Sequence, residues 1–283
     1  MKLSSKNLKF TQLSLGMALL LGAGQAALAH TGISNTIMSE ANGYSNTITT
    51  HGCTVIGASN PTVSPVVAQS VVIPTQNPIV RSSLDTKTPI NLGDYTNKTS
   101  LKNLFQLIQS HDVYTQQVEQ NDAPNSGGNV IGWVSTKGTL GQYLYGLTPF
   151  RVSAIAINQA SCVKSIKVNF AIAEICNKNS WPAGQAAPSV PGVNLWFDND
   201  PTSDLYSGGL FGASTDQGAD NTIAAASATL TINRDTTLKP YPSNCAGAGG
   251  TDPLFDILVY PGSQDIKKLQ FPGWGTADPT YFY

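Results

Sequence analysis

Apolar residues recur with a period of two along most of the chain. Between residues 164 and 176, Ile166, Val168, Phe170 and Ile172 share one face, and Ser165, Lys167 and Asn169 occupy the other. Such alternation predicts a β-strand with one face in a core and one face wet. Segments 44–50, 66–73, 150–157, 193–197, 229–233 and 255–260 read as further strands, each bounded by Pro, Gly or Asn-rich turns. Several short strands without alternating helices predict a mainly β fold: a Greek-key-like antiparallel β-sandwich with long loops.

One segment departs from this period. Over residues 100–113, Leu101, Leu104, Leu107 and Ile108 fall at helical spacing, and Thr99 or Ser100 stands ready to cap the start. This predicts one short amphipathic helix lying on the sandwich, with His111 near its end. Residues 121–129 form a polar, Gly-rich loop, and 213–226 offer little to a core, so a surface excursion is expected there. No internal repeat or sharp change of composition divides the chain, and a single domain over residues 30–283 is expected.

The first 29 residues follow a different logic. Lys2, Lys6 and Lys9 precede an uncharged apolar run over 13–23, and Ala27-Leu28-Ala29 supplies the small residues of a cleavage site. This is the pattern of a secretory signal peptide, and it predicts an exported chain that begins at His30. The run is too short to span a bilayer, which takes about 20 residues, and no later stretch replaces it. Removing the three lysines leaves 13 basic residues against 17 acidic ones. A net negative chain is a poor partner for nucleic acid or anionic lipid.

Cys53, Cys162, Cys176 and Cys245 are an even number in a chain read as exported, which favours disulfides over copper(I)–thiolate ligation. A strand over 163–175 would hold Cys162 and Cys176 about 46 Å apart. Disulfide-bonded Cα atoms lie within about 7 Å, so that bond is excluded. Cys53–Cys162 with Cys176–Cys245 is the preferred pairing, and Cys53–Cys176 with Cys162–Cys245 remains open.

Catalytic motifs are missing. The sequence contains no Gly-x-Ser-x-Gly elbow, phosphate-binding glycine loop, His-Glu-x-x-His or Cys-x-x-Cys, which argues against an enzyme. Three histidines remain: His30, His51 and His111. A mature N-terminal His30 would offer amino and imidazole nitrogens together, a donor set that suits copper. His51 follows a strand in Thr50-His51-Gly52-Cys53. A separate cluster, Asp198, Asp200 and Asp204, lies in a loop after the 193–197 strand. Closely spaced carboxylates of this kind can supply the oxygens that calcium takes, although Ser203 and Gly209 break the EF-hand pattern.

The motifs His30-Thr31-Gly32-Ile33, His51-Gly52-Cys53, the run from Pro65 to Thr75, Ser135-Thr136-Lys137-Gly138 and Pro272-Gly273-Trp274-Gly275 form a set. In this set the chain resembles a group of exported bacterial proteins that includes the copper-repressible, surface-associated proteins of methane-oxidising bacteria. The resemblance implies a β-sandwich-containing domain that binds copper outside the cell for acquisition. It also implies copper held by two imidazoles, with a tryptophan oxidised to kynurenine nearby. On that basis His51 and His111 are the favoured ligands, with His30 as the third candidate. Trp133, in a Gly-rich segment, is the favoured tryptophan, although no Trp adjoins a His in this sequence.

The leading expectation is therefore a secreted, surface or periplasmic copper-binding protein without turnover. It would hand its metal to a surface or periplasmic acceptor, with calcium as a second, structural ion. The rivals are a copper-dependent oxidoreductase chelating through His30, and a surface or matrix protein whose histidines are incidental.

Overall fold

A computed structural model describes residues 32–34, 37–49, 53–54, 63–122, 128–141, 144–176, 193–196, 228–262 and 265. The chain divides into two units, Met1–His30 and Thr31–Tyr283. The described part of the second unit is mainly β. In chain order its strands are β1 (Gly32–Ile33), β2 (Ile37–Ser39), β3 (Gly43–Thr49), β4 (Cys53–Thr54), β5 (Val63–Ser64) and β6 (Val66–Val72). Then follow β7 (Pro78–Ser82), β8 (Asp85–Pro89), β9 (Phe105–Leu107), β10 (Tyr114–Asn121), β11 (Val130–Gly138) and β12 (Gly146–Val152). The last are β13 (Val163–Asn169), β14 (Ala171–Cys176), β15 (Val193–Trp196), β16 (Thr229–Asn233) and β17 (Phe255–Pro261).

These strands form a four-stranded sheet β1-β3-β12-β9, a five-stranded sheet β10-β11-β6-β14-β15, a six-stranded sheet β2-β16-β13-β17-β7-β8 and a small β4-β5 pair. The sandwich-like, mainly β architecture expected from the alternation is present. Its antiparallel character is incomplete, because β13 runs parallel to β17 and β2 parallel to β16. A parallel pair needs a long crossover connection, and here 85 residues separate Asn169 from Phe255.

The segment read as one long strand over 164–176 is two strands in two sheets. β13 lies in the six-stranded sheet and β14 in the five-stranded one, and Phe170 stands between them with its N–H donating to the Ala228 carbonyl at 2.9 Å. The face expected to be wet is largely covered. Ser165 and Asn169 are buried, Ser165 donating to Asp256 at 2.7 Å and Asn169 to the Val259 carbonyl at 3.3 Å, and of that face only Lys167 reaches solvent. Over Ala171–Ile175 of β14 both faces are buried.

One apolar core joins the three large sheets. At its centre Phe105, Trp133, Phe150 and Phe170 touch one another, with ring centroids 5.2 Å apart for Phe105–Phe170 and 5.5 Å for Trp133–Phe150 and Phe150–Phe170. Such tilted and edge-on contacts between aromatic rings add to what burial alone contributes. Trp133 is thus a core residue in the middle of β11, not a member of a Gly-rich loop.

No helix forms over 100–113. Leu101 and Leu104 are both buried, but they share a single turn closed by Leu104 N–H to the Leu101 carbonyl. Asn103 within it is left-handed at φ 55°, a conformation an α-helix cannot continue through. Phe105–Leu107 then pairs with β12 as strand β9. The expected strand over 150–157 also shifts, since the ladder runs over Gly146–Val152.

The cysteine pairing differs from the preferred one. Cys162 is bonded to Cys245 with Cα atoms 5.5 Å apart, which removes both Cys53–Cys162 and Cys176–Cys245. The bond sits where the parallel pair begins, beside Phe255 N–H donating to the Cys162 carbonyl. Next to it, the buried Arg234 guanidinium donates to the carbonyls of Asn158, Gln159, Ser161, Val163 and Pro240, and its Nε donates to that of Lys239. It also stacks over the Tyr241 ring at 5.0 Å. A single cation thereby satisfies a cluster of loop carbonyls that would otherwise be buried unpaired.

Asp256 on β17 fastens the parallel ladder. Burial opposes its ionisation, but the Ser165 hydrogen bond and the Lys167 and Lys164 ammonium groups outweigh that and hold its carboxyl below the usual range. A carboxylate depressed in this way stabilises the fold above its unfolded pKa, and the stability is lost as pH falls through the lower folded value. Asp256→Asn is therefore expected to lower the urea midpoint at about pH 7 and to flatten the loss of stability between about pH 4 and pH 2. Urea titrations of both proteins across that range measure it.

Candidate functional site

Strand register sets polar residues side by side across the five-stranded sheet. Gln117 of β10 pairs with Ser135 of β11, Ser135 with Gln69 of β6, Gln69 with Glu174 of β14, and Glu174 with Asn194 of β15. Register partners in antiparallel strands point to the same face, and Gln117, Ser135, Gln69 and Glu174 are all buried. The neighbouring row on that face is Trp133, Val71 and Ile172, which belongs to the apolar core. The interior thus changes from apolar to polar within one step along the strands.

The four-stranded sheet answers this row with threonines. Thr47 of β3 donates to Gln69 Oε1 at 2.8 Å, and Gln69 Nε2 donates to Thr49 Oγ1 at 2.8 Å. Gln69 therefore ties two sheets together through one amide. Tyr114 of β10 is buried in the same region. Burial first, and then the nearby Glu174 charge, push its phenol far above the ordinary range, while Thr49 pulls it back slightly. The Tyr114 hydroxyl is buried beside Thr49. It and Ser135 Oγ are buried without a hydrogen-bond partner among the described residues, as is Trp133 Nε1. Unpaired buried polar atoms cost stability, so this end of the sandwich is not optimised for packing alone.

His111 lies at the rim of this region. It is exposed in the turn between β9 and β10, and side chains hold that turn. Ser110 N–H donates to Gln117 Oε1 at 2.8 Å, Ser110 Oγ donates to Asp112 at 2.9 Å, and Ile108 N–H donates to the Pro149 carbonyl at 3.0 Å. Two residues after His111, Val113 packs beside Val66 and Leu140. A Cβ on Gly146 would come within 3.2 Å of both Val113 Cγ2 and Leu140 Cδ2, so a side chain there would need these methyl groups to give by a few tenths of an ångström. Gly146 in turn is the register partner of Thr49, the last residue of β3. His51 is two residues further along the sequence.

The sequence-derived site residues are therefore only partly placed. His111 is exposed beside a buried polar row. His30, His51, Asp198, Asp200 and Asp204 lie outside the described residues, and Cys53 and Cys176 are described as strand positions only. Trp133 is sealed in the aromatic core. Among the described residues no three His, Cys, Asp or Glu side chains gather as a metal site. Sequence reasoning missed Gln69, Ser135, Glu174 and Tyr114. Their signal was a polar residue inside an otherwise apolar strand, as in the runs Val67-Ala68-Gln69-Ser70-Val71 and Ala173-Glu174-Ile175. Comparison with known proteins returned no match, whether to a family model, a curated protein or a solved structure.

The unpaired Tyr114 hydroxyl gives a direct check on this region. Removing a buried donor that lacks a partner returns its desolvation cost. Tyr114→Phe should leave the urea-unfolding free energy within about 1 kcal/mol of the parent or raise it. A loss above about 2 kcal/mol would mean that the hydroxyl carries a hydrogen bond.

Proposed function

We propose that this is an exported copper-binding protein that acquires or sequesters the metal without turnover, with His51 and His111 as its main nitrogen ligands. The observation that supports the reading is the approach of Val113 to the end of the β3–β12 ladder. Val113 packs against Gly146, and Gly146 is paired with Thr49. In sequence, His111 precedes Val113 by two residues and His51 follows Thr49 by two. On the proposed reading, histidines 60 positions apart in sequence reach one copper ion from these two segments.

The donor chemistry agrees with this. The chain has three histidines in all, and imidazole nitrogen is a donor for which copper outcompetes other divalent first-row metals. His111 is exposed, so a ring there can turn towards an incoming ion without disturbing the core. The Cys162–Cys245 disulfide suits an oxidising compartment outside the cytoplasm. No helix among the described residues is long and apolar enough to cross a membrane. Trp133 does not enter the proposed ligand set, because its indole is fully buried between Phe150 and Phe170. Calcium at Asp198, Asp200 and Asp204 is a separate and structural proposal.

Copper titration of histidine variants tests the reading. His51→Ala and His111→Ala should each weaken binding at least about tenfold, or about 1.4 kcal/mol. The apoprotein of His111→Ala should unfold within about 0.5 kcal/mol of the parent, as an exposed substitution does. Protons compete for imidazole, so binding should weaken from about pH 7 towards about pH 5. If His30→Ala alone abolishes binding, the metal belongs to the chelating terminus and the oxidoreductase alternative leads. Three silent variants would end the copper reading.

A further inference from the structure

Strand register brings Cys53 and Cys176 to neighbouring strand positions. Cys53 of β4 is the register partner of Ser64 of β5, and Cys176 at the end of β14 is the partner of Val66 of β6. Ser64 and Val66 are separated by Pro65 alone. The opposite side of Val66 is taken by Leu140, through N–H to carbonyl bonds in both directions. That leaves β4 and β14 to neighbour each other. The ladder between β14 and β6 slips by one residue between Ile175 and Cys176. A bulge of this sort bends the strand end and re-aims the residue that follows.

We infer that Cys53 and Cys176 form a second disulfide, alongside Cys162–Cys245. The register places both Cα atoms beside the three-residue step Ser64–Pro65–Val66, on the scale of the separation of about 5.5–6 Å that a disulfide spans. The alternatives are already removed, since Cys162 and Cys245 are bonded to each other. The bond forms by oxidation of two thiols. Each loses a proton, and the two electrons pass by thiol–disulfide exchange to the disulfide of an oxidoreductase in the export compartment, which leaves as the dithiol.

The bond would have a local consequence at the proposed metal site. The chain from Thr49 to Cys53 carries His51. It is held at one end by Gln69 through Thr49, and the disulfide anchors the other end to β14, the strand of Glu174. The inference itself stands on register and does not depend on copper binding.

Peptide mapping of the full-length exported apoprotein tests it. The chain is alkylated under denaturing conditions without reductant and then digested. The expected result is a Cys53 peptide linked to a Cys176 peptide, next to the Cys162–Cys245 pair, with no alkylated cysteine. Alkylated Cys53 and Cys176, or either one linked elsewhere, would overturn the inference. In Cys53→Ser the expected result is one alkylated thiol per chain, at Cys176, with Cys162–Cys245 intact. If that variant does not accumulate, the map of the parent protein decides alone. Two thiols in the apoprotein that copper then protects from alkylation would overturn the disulfide and assign both sulfurs to the metal. Loss of copper binding in His51→Ala or His111→Ala, by contrast, leaves the map unchanged.

Discussion

Phe170 is the side chain on which the rest of the structure turns. The chain arrives at it as a strand of the six-stranded sheet and leaves as a strand of the five-stranded sheet, without a loop between. Its ring sits in contact with Phe105, Trp133 and Phe150, which come from β9, β11 and β12. A continuous strand that serves two sheets fixes their relative placement through covalent geometry, and the aromatic cluster fills the space this creates. Truncating a ring at such a site would leave a cavity between three sheets.

That crossing also decides where polarity enters the core. Ile172 is the register partner of Val71 and continues the apolar row, but two residues on, Glu174 lies beside Gln69 and the row becomes polar. A buried carboxylate, a buried phenol and two buried amides are costly in a sandwich interior unless they serve each other. Gln69 does so by bonding two threonines of the opposing sheet. The Tyr114 and Ser135 hydroxyls find no partner among the described residues. Conflicts of this sort between burial and hydrogen bonding tend to gather where a protein does something other than hold itself together. This one lies under the turn that bears His111.

Much of the fold was legible in the sequence, because a period of two survives wherever one sheet face is covered. The strands β3, β6, β15, β16 and β17 follow that signal closely. The helix failed because Leu101 and Leu104 need only one turn to share a face, and left-handed Asn103 ends that turn before Phe105 joins β12. The long strand through Phe170 was visible, but its change of sheet was not, since alternation does not reveal which partners a strand has. The disulfide and the polar row were illegible for the same reason. Cys162 meets Cys245, and Gln69 meets Glu174, only through pairings more than 80 residues apart. The histidines stood out as candidate donors by their scarcity, whereas the approach of Val113 to Gly146 arises from strand pairing that the sequence does not display.

The central claim is that His51 and His111 share one copper ion. X-ray absorption at the copper edge, on the full-length exported protein loaded with one equivalent of metal, tests it in either oxidation state. A nitrogen first shell with outer-shell scattering from two imidazole rings is the predicted result. Scattering from sulfur, or from a single ring alongside a terminal amine, would contradict it.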